Sequence, residues 1–140
     1  MFFQIEIYNA IWLFVVIFML HDFEEIITVE NWAERAEARV KKLNSKIGFK
    51  IYRFWNVGSY TFAKRDVFIF LTMSIITFLK VQYNELAWTG VLYLFFILFV
   101  FIHNLVHILQ TLVLRTYTPG LYSAVFLVGP YTIYLLIRLT

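Results

Sequence analysis

Four long apolar stretches dominate this chain, and each approaches the roughly 20 residues that a helix needs to cross a bilayer. They cover about residues 5–27, 67–82, 88–114 and 120–139. Composition points the same way. Of 140 residues, 61% are hydrophobic and 15% charged, whereas a soluble domain carries about 25% charged residues. Sixteen Phe side chains in so short a chain exceed what a water-soluble core of this size hides. The expected fold is therefore all-α: a single domain over residues 1–140, polytopic in the membrane, with about four transmembrane helices. The N-terminal stretch MFFQIEIYNA lacks a positive n-region, and no A-x-A-like site follows it, so the first apolar segment is expected to stay in place. The chain has no Cys, which excludes disulfides and thiolate metal ligands within it.

The one long connection, residues 28–66, has two parts. Over about residues 29–43, Val29, Trp32, Ala33, Ala36, Val40 and Leu43 recur at helical spacing, and charged residues fill the opposite face. That pattern predicts an amphipathic helix lying on the membrane surface. Residues 47–60 are aromatic and basic, which suits the headgroup region. Lys and Arg concentrate in this connection, with Arg115 in the loop after the third span, while the opposite side has only Lys80 and Arg138. The positive-inside rule then places the long loop in the cytoplasm and both termini outside. The expected partners are the bilayer and its anionic headgroups. Nucleic acid is not expected, because the basic residues flank membrane spans.

Against this apolar background stands a set of His and Glu residues. His21, Glu24 and Glu25 close the first span, and at 100° per residue they share one helical face, with Asp22 and Phe23 pointing elsewhere. The third span carries His103 and His107 at i, i+4, with Gln110 extending that face and Asn104 to one side. His21 lies six residues before the end of its span and His107 seven before the end of its own. At 1.5 Å per residue both imidazoles sit roughly 10 Å below the cytoplasmic edge. Ionised groups within a membrane cost at least about 2.5–3.5 kcal/mol each on insertion scales. A bound divalent cation removes that cost by neutralising carboxylates and accepting imidazoles. His with Glu suits Zn, with Fe or Mn also accepted.

His-x-x-Glu-Glu is one residue from the inverted zincin motif. By that analogy His21, Glu25, His103 and His107 would bind the metal, and Glu24 would polarise a water as general base. A two-metal site is short of carboxylates on this reading. Asp22, Asn104, Gln110 and Arg115 are candidates for supporting or substrate-binding roles. Blander readings exist for each. The first trio also fits a helix end reaching for water, and the His pair fits interhelical hydrogen bonding. Residues 115–120 read first as a turn, with Arg115 free to hold an anion at the site mouth. Gly129-Pro130 should kink the fourth span, and Asp66 beside Lys64 and Arg65 reads as an interfacial charge cluster.

At these residues the chain resembles a family of small bacterial integral membrane proteins named for the H-x-x-E-E motif. The likeness rests on His21, Glu24 and Glu25, on Trp32, on His103-Asn104-x-x-His107-x-x-Gln110, and on the segment Arg115-Thr-Tyr117-Thr-Pro119-Gly120. It implies residence in a bacterial cytoplasmic membrane and groups these residues together, but implies no substrate. The residues themselves lead to a membrane metalloenzyme that hydrolyses a lipid-like or apolar substrate by metal-activated water. Iron-dependent oxidation is the alternative chemistry, and a metal-free isomerase a third form. The rivals from other classes are a proton or metal-ion transporter or sensor, and a structural subunit. The outer half of the first span has no polar residue and that of the third only Tyr93, which favours a one-sided pocket over a channel. Four helices are few for enclosing a pocket, so a homodimer is expected.

Overall fold

The computed structural model describes residues 5–140. Residues 1–4, part of the stretch read for a signal sequence, lie outside the described residues. Among those described, every regular element is helical. Helix α1 spans Ile7–Leu43, α2 Lys46–Trp55, α3 Ser59–Gln82 and α4 Ala87–Leu114. Helix α5 covers Leu121–Leu139 and contains a π-helical turn at Ala124–Val128.

Two of these helices, α4 and α5, are long and apolar enough to cross a membrane, where four spans were expected. The other two are diluted by polar groups. The apolar half of α1 ends in Asp22, Glu24 and Glu25, and the helix runs on into a charged half. Helix α3 carries Lys64, Arg65 and Asp66 before its apolar run and Lys80 near its end.

Residues 29–43 do not form the separate surface helix expected of them. They continue α1 without a break, giving 37 residues and a rod of roughly 55 Å. The expected apolar face is present, but its partner is protein. Val29, Trp32, Ala33, Ala36 and Val40 pack with Tyr52, Trp55, Phe62 and Leu114 in one buried cluster. Asn44 then ends α1 in the left-handed region (φ 45°), which Asn tolerates better than most residues. Ser45 starts α2 by accepting the Gly48 N–H at 3.2 Å, the usual service of an N-cap serine. Helix α2 turns Gly48, Tyr52 and Trp55 inward. Its outer face exposes Ile47, Phe49 and Phe54 beside Lys46, Lys50 and Arg53.

A second apolar cluster joins the other halves of the helices: Phe14 and Phe18 of α1, Met73 of α3, Tyr93, Ile97 and Val100 of α4, and Val128 and Leu135 of α5. The outer faces stay apolar as well. Phe68, Phe95, Phe126 and Ile137 are between 68% and 74% exposed. Between the two clusters lies a layer of buried polar side chains.

Candidate metal centre

Helix α1 supplies four of these polar groups from consecutive turns. Relative to His21, a helix of 3.6 residues per turn places Glu24 at about −60°, Glu25 at about +40° and Asp22 at about +100°. The four therefore fan across about 160°, and each meets a different neighbour. The expected single face bearing His21, Glu24 and Glu25 divides accordingly.

His21 and Glu25 meet α4. The His107 Nε2 atom lies 3.0 Å from Glu25 Oε1 and 2.9 Å from His103 Nε2. His21 Nε2 lies 3.5 Å from Glu25 Oε1. The rings of His21 and His107 are 4.9 Å apart between centroids. One ligand atom from each of His21, Glu25, His103 and His107 falls within 4.8 Å of all the others. With zinc–nitrogen bonds of 2.0–2.1 Å, a tetrahedral site has ligand-to-ligand edges of about 3.3 Å, and these three separations bracket that value. The donors are also poorly served without an ion. His21, Glu25 and His107 are buried, with exposures of 0%, 4% and 1%, and neither His21 Nε2 nor Glu25 Oε1 has a hydrogen-bond partner among the described residues. Buried polar atoms are rarely left so.

Glu24 faces α5 and lies outside this group. One carboxylate oxygen accepts from the Tyr117 hydroxyl at 2.6 Å and the Tyr122 N–H at 3.2 Å. The other accepts from the Ser123 N–H at 2.7 Å and from the Ser123 hydroxyl. Two of these donors are free N–H groups in the first turn of α5, where a carboxylate is favoured. Burial and then the Glu24 carboxylate push the Tyr117 phenol well above its usual range, so it remains a donor. Ser123 also touches the cluster, its Oγ 2.9 Å from His21 Nδ1. Since the Ser123 hydroxyl donates to Glu24, His21 Nδ1 is the donor to Ser123, and the Nε2 lone pair is left facing Glu25 and His107.

Asp22, read as pointing elsewhere, is 2% exposed and meets Asp66 of α3, which is buried and not the interfacial charge expected. Oxygens of Asp22, Glu25 and Asp66 form a second close group, again within 4.8 Å. Asn104 is buried with both amide atoms unpartnered. Gln110 accepts the Trp55 indole N–H at 3.0 Å and so anchors α2, while Trp55 packs on the His107 ring at 5.6 Å. Arg115 is exposed, its backbone left-handed (φ 51°) where α4 ends. It borders a groove with Ala38, Arg39 and Lys42 and does not reach the cluster.

Sequence reasoning missed Ser123, Gly120 and the placement of Asp66. The Pro119-Gly120 turn signal was visible, but not that the turn folds onto the site. Gly120 adopts φ +78°, and a Cβ there would stand 2.7 Å from both His21 Cε1 and Glu25 Cγ. Thr118 fixes the turn from below through Thr111 at 2.7 Å, and the Trp32 indole donates to the Tyr117 carbonyl.

A cleft of about 410 Å³ opens beside Tyr117, lined by Thr28, Trp32, Arg35, Arg39 and Thr116. A larger groove of about 560 Å³ between α1 and α2 is lined by Glu30, Glu34, Tyr52 and Val57, and neither opening is lined by His21, Glu25, His103 or His107. Among known proteins, the family model described as "Protein of unknown function with HXXEE motif" matches residues 12–135. No curated protein and no solved structure matches the chain.

Proposed function

Because the chain belongs to the family of proteins of unknown function with an HXXEE motif, and because the motif residues build the cluster described above, we propose that it is a membrane-embedded, metal-dependent hydrolase of lipid-like substrates. The observation that carries this reading is the convergence of three imidazoles and one carboxylate on a single buried point. A divalent ion on that donor set supplies Lewis-acid activation for hydrolysis. Zinc suits the set best. Iron would turn the same site toward oxidation, so metal identity decides between the two chemistries.

The chain's own groups have distinct tasks. His21, Glu25, His103 and His107 are the ligands. Ser123 orients His21 through Nδ1. Glu24 has four donors on its two oxygens, about the full capacity of a carboxylate, and so has no lone pair ready to take a proton from water. This favours a positioning role for Glu24, locking the start of α5 and the tautomer of His21, over the general-base role.

In the membrane, the apolar halves of α1 and α3 complete a bundle with α4 and α5. The exposed apolar side chains of all four face acyl chains, and the outer face of α2 meets the headgroups with Lys46, Lys50 and Arg53. The cleft beside Tyr117 pairs an indole and aliphatic wall with Arg35 and Arg39, a match for an acyl chain carrying an anionic head. On the other side of the polar layer, Phe14, Phe18, Ile97 and Val100 close the bundle. The polar groups buried beyond them include Thr77, Tyr93 and Thr132, with no ionisable carboxylate or imidazole buried there among the described residues, which favours a one-sided pocket over a proton or ion path.

The test is turnover in H₂¹⁸O. Zinc-loaded protein in mixed micelles of anionic and zwitterionic phospholipids should release products carrying ¹⁸O at the new carboxyl or phosphate, and the His103→Ala, His107→Ala double variant should release none above background. Metal-loaded protein that incorporates no ¹⁸O into any lipid would overturn the hydrolase reading.

A further inference from the structure

Asp22, Glu25 and Asp66 form a group that the four-ligand site does not use. We infer that they hold a second divalent cation beside the first, with Glu25 the ligand common to both. The inference builds on the metal site proposed above and extends it to a dinuclear centre.

Three observations lead here. First, one oxygen from each of the three carboxylates lies within 4.8 Å of the others, and the three residues are 2%, 4% and 4% exposed. Second, Asp22 Oδ2 and Asp66 Oδ2 are buried without a hydrogen-bond partner, whereas Glu25 Oε1 faces His21 and His107. Third, among the described residues no Lys or Arg forms an ion pair with any of them. Arg65, next in sequence to Asp66, instead lays its guanidinium over Phe62 at 4.2 Å and Phe54 at 5.0 Å. Three carboxylates closed off from water repel one another when ionised, and no cationic Lys or Arg is in contact with them among the described residues. A divalent cation meets all three deficits at once.

The donor set defines the class of ion. Three carboxylates offer oxygen alone, which suits hard cations such as Mg²⁺ and Mn²⁺, whereas the neighbouring imidazoles suit zinc. The two sites therefore differ in preference while sharing a ligand, the arrangement by which paired ions clamp a substrate's attacked and leaving oxygens in two-metal hydrolases. It also gives α3 a task. Asp66 is its contribution to the polar layer, and it lies on the side of α1 opposite to Glu24, where the helical fan directs Asp22.

Full-length protein in detergent, stripped with chelator, is loaded with one equivalent of Zn²⁺ and titrated with Mn²⁺, with bound metals counted by elemental analysis and Mn²⁺ followed by electron paramagnetic resonance. Wild type should hold one Zn²⁺ and one Mn²⁺ per chain. Asp66→Asn and Asp22→Asn should keep the Zn²⁺ and bind Mn²⁺ at least tenfold more weakly. Stripped of metal, Asp66→Asn should melt at or above stripped wild type, because it removes a buried charge. Wild type holding Zn²⁺ but no Mn²⁺, or variants binding Mn²⁺ like wild type, overturns the second site and leaves the first. An Asp66→Asn chain that fails to fold also contradicts it, since the carboxylate would then be structural. Protein that holds neither ion overturns both sites.

Discussion

Gly120 is the residue on which the site depends most closely without offering it a ligand. Its backbone is left-handed and its missing Cβ leaves room for His21 and Glu25. Gly120→Ala should cost about 1–2 kcal/mol in backbone strain alone. The new methyl must also displace one of two ligands. The expected outcome is a lower melting temperature together with loss of bound metal, measured by calorimetry and elemental analysis. Wild-type metal content in this variant would contradict the geometry. Spacing made the pairing of His21 with His107 legible, because both sit at similar distances from their helix ends. It misgrouped Glu24 and Asp22 for a physical reason. Helical angles give directions around an axis, but not which direction has a neighbour. Inside a bundle α1 has partners on several sides, so the carboxylates of residues 22, 24 and 25 serve three of them. Nothing local in the sequence marks Ser123, whose role comes from a contact with His21 across 102 residues.

At the scale of elements, the fourth apolar stretch shows how a motif is read correctly in place and incompletely in kind. Gly129-Pro130 signals a disturbance, and the structure accommodates it with a π-helical turn just before it. The Gly129 N–H reaches back to the Ala124 carbonyl, and Pro130 has no N–H to give. A Cβ on Gly129 would lie 2.8 Å from the Ala124 oxygen, so Gly129→Ala must unwind or shift the turn, at roughly 1–3 kcal/mol. Since Ser123 and Ala124 sit immediately before and within that turn, the change should lower the melting temperature and also weaken metal retention. Melting equal to wild type would show that the turn is not constrained as described. The periodicity of residues 29–43 was legible, and their partner was not. An apolar face has the same spacing whether it meets lipid or α2. Helix α2, read as a headgroup segment, has two faces, one built into the protein by Trp55 and Tyr52 and one left apolar and basic.

On the scale of the whole molecule, one polar layer lies between two apolar clusters, and the proposed ligands from α1 and α4 meet within it. The all-helical class was plain from the lengths of the apolar stretches. That two of the four helices, rather than all of them, are long and apolar enough to span a membrane follows from where the polar layer draws its residues: α1 and α3 supply its carboxylates, and α4 carries no charged residue. Three imidazoles and the Glu25 carboxylate are proposed to bind one ion, and X-ray absorption at the zinc edge of protein loaded with one equivalent reads those ligands out. Three imidazole nitrogens with their multiple-scattering signature are expected at about 2.0–2.1 Å, with the Glu25 oxygen and one further oxygen from solvent in a five-coordinate shell. A spectrum without imidazole scattering, or one unchanged in the His103→Ala, His107→Ala double variant, would contradict it.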